Sequence, residues 1–343
     1  MSSNQAETSR MRLGTESVAG SQLDHGNSRT FAAPMRSAII VLLVVGNGCE
    51  RTPERVPVDS PTATVPARPD TLGAIPTRPM WDPALGPVLL IAGNAPDTAS
   101  VIFPAFSDST LTDTTTFDTS TLSGFTVDLF SRAGRVGAGR VRAASAPSRQ
   151  GCVAWPEASL TMTETLPPDK GWTVAFAAGR ATAVALDSLE TLAGADSARL
   201  TTEAARLASL APADTSTAFH GIPFFVRQVR RFRIAAATDV LVANITRRIN
   251  QEANPREEQL FFIAERDGSR PDSRYALAYH ERVSGQEEAI ETTDVLAALV
   301  LAPGATPAIV LLRDYGDGSA YALLTRSAAG EWHIAWSSAY TGC

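Results

Sequence analysis

The chain has 343 residues, 44% hydrophobic and 19% charged, with a formal net charge of −6. It is long and apolar enough to bury a sizeable core, which excludes a wholly disordered protein. The acidic balance gives nucleic acid no basic face, and of 30 Lys+Arg only Lys170 is lysine, the remainder being arginines dispersed along the chain.

Residues 1–34 are polar, with no periodic apolar pattern, and are expected to be disordered. They read as an extension ahead of the natural start at Met35. From there the sequence runs "MRSAIIVLLVVGNGC". A bilayer-spanning helix needs roughly 20 apolar residues, and Ile39–Val45 with Ala38 and Gly46 supplies about nine. Arg36 gives a positive flank, and Gly46, Asn47 and Gly48 are small or polar residues just before Cys49.

This arrangement resembles a bacterial lipoprotein signal peptide, residues 35–48, followed by its lipidation site. The resemblance implies that Cys49 carries the lipid and opens the mature chain. Gly46 and Asn47 depart from the residues usual at those positions. Glu50 stands where an aspartate commonly retains lipoproteins in the inner membrane, so outer-membrane attachment on the periplasmic side is expected. Residues 49–80 are rich in Pro and Thr, the composition of an extended tether. In an oxidising compartment the remaining cysteines, Cys152 and Cys343, are a candidate disulfide, with two buried thiols as the alternative.

From residue 81 to 343 the period is mostly two, bounded by Gly, Pro and Asp, and a globular domain is expected. "GPVLLIAG", "ASVIFPAFSD" and the two halves of "SGFTVDLFSRAGRVGAGRVRAAS" read as strands, and "SDSTLTDTTTFDTSTLSG" as a solvated loop or exposed strand. "GWTVAFAAGRATAVAL" continues the pattern. Between Asp187 and Ala211 the spacing of Leu189, Leu192, Leu200, Ala204, Leu207 and Leu210 predicts two short helices broken at Gly194. Asp187 or Ser188 would cap the first and Asp196 or Ser197 the second. The chain could subdivide near 187–220.

Beyond that block, runs of about ten residues from "GIPFFVRQVRRFRIAAA" to "EWHIAWSSAYTGC" alternate with tight turns. Short sequential strands imply antiparallel pairing, since parallel strands need crossover helices. The expected fold class is α+β, predominantly antiparallel, as a meander or sandwich-like sheets with one short helical pair.

Chemistry is harder to place. No GxSxG, HExxH, SxxK or GxxxxGK[ST] occurs, and the cysteines lack ligand spacing, so no cofactor is expected. "DYGDGSAY" offers Asp314 and Asp317 as weak calcium ligands, but Tyr321 stands where a closing carboxylate is needed, and a hairpin between strands 308–315 and 319–326 accounts for it. His280 and Glu281, beside Glu287, Glu288 and Glu265, suit general acid–base work, yet neighbours on a strand face opposite ways. His220 and His333 stand alone. Arg227, Arg230, Arg231 and Arg233, with Arg247 and Arg248, form the one basic cluster and are candidate anion ligands, unless Glu257, Glu258 and Glu265 neutralise them. Trp155, Trp172, Trp332 and Trp336 suit either a carbohydrate groove or a core, and Trp332 and Trp336 would share a face on a regular strand.

These features favour a non-catalytic binding or assembly module of the cell envelope. It would touch the membrane through its lipid and an envelope protein or glycan through its domain. A periplasmic hydrolase with an unrecognised site is the alternative.

Overall fold

The computed structural model describes residues 80–343 apart from 108–110, 113, 148–151, 168–170, 213–216, 235–236, 251–253, 303 and 343. The signal-peptide, Cys49 and tether readings lie outside the described residues, as does Cys343. The compact unit that contains the described residues is Asp70–Cys343. It is a predominantly antiparallel β protein with a single α-helix, the expected class.

The first strands are β1 (Leu89–Ala92), β2 (Thr98–Ile102), β3 (Thr126–Ser131), β4 (Gly134–Ser145), β5 (Glu157–Met162) and β6 (Val174–Ala177). They close into a barrel in the order β1-β2-β5-β4-β3-β6. Closure comes from β1 pairing with β6, Leu90 opposite Ala175 and Ile91 opposite Val174. Period-two alternation does the sorting. Val88, Leu90, Val101, Val127, Leu129, Val141, Leu160 and Ala175 pack together in one core, whereas Leu89, Ile91, Ile102, Phe130, Val174 and Phe176 pack in a second. The Thr/Asp tract between β2 and β3 carries no strand among the described residues. Its Leu111 is buried and its Phe117 packs between Phe103, Phe106 and Trp155.

After β6 the chain runs along the edges of two sheets in turn. β7 (Ala181–Val184) and β8 (Asp187–Ser188) are short edge strands. β9 (Phe225–Ile234), β10 (Thr238–Ile249), β11 (Arg256–Asp267) and β12 (Ala276–Gln286) form a meander, giving the sheet order β12-β11-β10-β9-β8. β13 (Thr292–Leu301), β14 (Thr306–Asp314), β15 (Gly318–Arg326) and β16 (Trp332–Ser337) form a second, in the order β16-β15-β14-β13-β7. The short β17 (Thr341–Gly342) pairs with the start of β15.

The sheets face each other through Val240, Val242, Phe261 and Ile263 on one side and Val295, Ile309, Leu311, Ala322 and Leu324 on the other. The outer face of the second sheet, with Leu299, Val310, Leu323 and Trp336, packs on the barrel. The outer face of the first is covered by α1 (Gly194–Leu210). Four layers result, in the order helix, sheet, sheet, barrel. β11 lies between helix and second sheet, so every residue from Glu257 to Ala264 is buried.

Two expectations need correction. The predicted helical pair is one helix of 17 residues preceded by a single 3-10 turn at Leu189–Thr191. Asp187 and Ser188 are drawn instead into the ladder with Arg231 and Arg230 of β9. The helix has no side-chain cap at its N-terminus; Asp196 lies within its first turn, near the positive end of the dipole. Ala211 leaves helical geometry because Pro212 follows it. The second correction concerns Trp332 and Trp336. A bulge opposite Leu323 and Leu324 shifts the register by one residue, so Trp332 packs between the sheets and Trp336 against the barrel.

Candidate functional site

A cleft of ≈ 720 Å³ opens where the barrel meets the β14–β15 hairpin. One wall is the β1–β2 turn and the start of β5, with Asn94, Thr98, Ser100 and Glu157; the other is Asp314–Ser319 with Tyr321 and β17. Trp155 and Leu312 also line it.

Each wall is shaped locally. The hairpin turns at Gly316, whose φ of +83° is strained for a side-chain-bearing residue. Its amide donates to the Asp314 carboxylate at 2.9 Å, and Tyr315 N donates to Gly318 O at 2.9 Å. Gly318 and Gly342 approach so closely that a Cβ on either would lie 2.3–2.5 Å from the Tyr340 hydroxyl. That hydroxyl donates to Asp317 at 2.7 Å, which pushes the phenol above its ordinary pKa and keeps it a donor. Burial raises the Tyr321 phenol likewise. Val153 and Gly342 exchange backbone hydrogen bonds of 3.0 Å, stitching the chain's last strand to the segment entering β5.

The cleft is charged on one side of the ledger only. Glu157, Asp314 and Asp317 are exposed on it, and among the described residues no Arg, Lys or His lines it. Asp314 and Asp317 therefore belong to one cavity, although no group of three or more His, Cys, Asp or Glu that could hold a metal occurs among the described residues.

Trp155 stands apart from the other tryptophans. The indole N–H groups of Trp81, Trp172, Trp332 and Trp336 donate to Gly86 O, Pro96 O, Glu265 Oε1 and Pro104 O at 2.6–3.2 Å. Trp155 is 4% exposed and its Nε1 has no acceptor among the described residues. Sequence reasoning grouped these tryptophans without separating them, because no local pattern reports where an indole N–H ends.

The arginine cluster is divided by the pleat. Arg231 pairs with Asp187 at 3.2 Å, Arg233 with Asp239 at 2.8 Å, and Arg227 approaches Glu257 at 3.9 Å. Arg230 is a neighbour of these on β9 and also has an interaction partner. Arg247 and Arg282 converge on buried Glu258, and Arg248 on Glu257. The helix-side and sandwich-side arginines do not form one anion site.

The acid–base candidates are also dispersed. His280 is exposed on edge strand β12, whereas Glu281 points between the sheets to Arg313 and accepts from the Tyr279 hydroxyl. Glu265 accepts from Arg326 at 2.7 Å and from Trp332 at 2.6 Å and pairs with Ala276 at the end of the β11–β12 ladder, whereas His280 pairs with Phe262. His220 is exposed, and His333 lies 3.3 Å from the Thr325 hydroxyl.

No helix among the described residues is long and apolar enough to cross a membrane. The chain matches no known family model, no curated protein and no solved structure.

Proposed function

We propose that the chain is an exported lipoprotein, anchored in the outer membrane by lipid on Cys49, whose domain is a non-catalytic binding module. The observation that carries the binding reading is the cleft at the barrel–hairpin seam. Its volume falls within the 300–1,000 Å³ of small-molecule sites, and it combines carboxylates, hydroxyls and a buried indole.

Export also joins Cys152 to Cys343 in this proposal. The Val153–Gly342 bridge supports it, because those residues directly adjoin the two cysteines in antiparallel register. The bond would fasten one wall of the cleft to the other.

The test of the anchor is fractionation with lipid labelling. Wild-type chain should incorporate labelled fatty acid and sediment with outer membranes, while Cys49→Ser should lose the label and the sedimentation. Unlabelled wild-type chain in the cytosol would overturn the reading.

A further inference from the structure

We propose that a pocket at the edge of the first sheet, separate from the cleft, binds a small organic monocarboxylate through Arg231, Arg233 and Arg266.

The pocket has a volume of ≈ 490 Å³ and opens where the chain passes from β7 to β8. β8 covers the edge of β9 only at Arg230 and Arg231, so Phe232–Ile234 have no strand on that side among the described residues. Val184 and Ala185 form an apolar wall, and the three arginines line the rest with Asp187 and Asp239.

Asp239 sets the donors in place. One of its buried oxygens accepts from Arg233 Nε at 2.8 Å, and the other accepts from Arg266 Nε and Nη2 at 3.1 and 2.8 Å. The Arg266 guanidinium also lies over the Tyr275 ring, 4.9 Å from its centroid. Arg233 is thus held at Nε, while its terminal nitrogens have no acceptor among the described residues and its side chain is 59% exposed. A guanidinium anchored in this way presents an accessible fork, which matches a carboxylate bidentately.

Charge and size narrow the ligand. Asp187 takes up one further guanidinium, accepting from Arg231 at 3.2 Å, so three cations face two carboxylates. The surplus of one positive charge suits a monoanion, whereas a phosphate dianion would leave negative charge beside Asp187 and Asp239. The volume lies within the 300–1,000 Å³ of small-molecule sites, which leaves room for an apolar body against Val184 and Ala185.

The test titrates the full chain with butyrate, acetate, inorganic phosphate and butylamine, reading affinity by calorimetry and location by the arginine Nε–H signals in NMR spectra. Butyrate should bind about fivefold more tightly than acetate, through its two further methylenes, and should weaken as salt rises. Phosphate should bind more weakly than butyrate, and butylamine should not bind. Arg233→Gln should lose about tenfold in butyrate affinity, and Arg233→Lys, which restores the charge without the fork, should recover less than about threefold of it. Should loss of Arg233 unsettle the fold, Ala185→Glu decides. That position is exposed, and a carboxylate there should lower butyrate affinity about fivefold with the unfolding midpoint unchanged. Acetate matching butyrate overturns the apolar wall, and phosphate exceeding butyrate overturns the monoanion. Butyrate affinity unchanged by Ala185→Glu, or no butyrate binding at all, overturns the site.

Discussion

Asp239, Glu257 and Glu258 are 2–4% exposed, and each faces two arginines. A lone buried carboxylate would cost several kcal/mol, and the forked guanidinium offsets that cost better than a lysine's point charge. Burial works against ionised Asp239, but donors from Arg233 and Arg266 outweigh it and hold its carboxyl below the usual carboxylate range. A depressed carboxyl contributes stability that is complete above its unfolded-state pKa and is lost as pH falls through the folded value. Asp239→Asn should therefore destabilise by about 1.5–3 kcal/mol at neutral pH. The gap between variant and wild type in urea melts should close toward acid; a gap unchanged with pH would deny the carboxylate this role. Neutralisation of the basic cluster was foreshadowed in the sequence by Glu257 and Glu258, while Glu265, named with them, pairs with Arg326 instead. The partners Asp187 and Asp239 were not, since Asp187 reaches Arg231 only once β8 joins the sheet.

At the scale of elements, α1 shows what a local pattern can and cannot carry. Leu200, Ala204 and Leu207 repeat at i, i+4, i+7 and lie on the face that covers β9–β11, whereas Leu210, read in the same pattern, is exposed. That stripe was legible. Leu189 and Leu192 continue the spacing on paper but stop at a 3-10 turn, because the preceding pair Asp187–Ser188 gains ladder hydrogen bonds that a helix would forfeit. The helix hides a whole sheet face, so Leu207→Ala, at a side chain 1% exposed, should cost about 2–5 kcal/mol by thermal or urea unfolding. A loss below 0.5 kcal/mol would mean that α1 is not integral to the fold. β5 went unread because "EASLTM" carries few residues of strong β-preference. The bulge in β16 went unread because one unpaired residue leaves no compositional trace.

At the scale of the whole molecule, antiparallel sheets were foreseeable and the barrel was not. Its closure rests on Leu90 meeting Ala175 and Ile91 meeting Val174, contacts between segments remote in sequence. The cleft is likewise a product of assembly, drawing on β1, β2, β5, β14, β15 and β17. Seam contacts hold barrel to sheet: Arg132 Nε donates to Val295 O at 2.5 Å, Thr173 to Leu296 O at 2.8 Å and Trp336 to Pro104 O at 3.2 Å. The proposed Cys152–Cys343 bond would add about 4–5 kcal/mol through the long loop it closes. Reduction, or Cys152→Ser, should lower stability by up to that amount, and mass spectrometry of alkylated, unreduced chain should find both thiols protected. Two alkylated thiols would remove the bond from the proposal.

The placement of the tryptophans makes the fold unusually readable by light. Trp172 sits in the barrel interior, Trp81 and Trp336 in the seam at 5.0 Å from each other, Trp332 between the sheets and Trp155 at the cleft. The barrel and each seam between β layers thus hold a fluorophore, and single-tryptophan variants would time the separation of barrel from sheet independently of the separation of sheet from sheet.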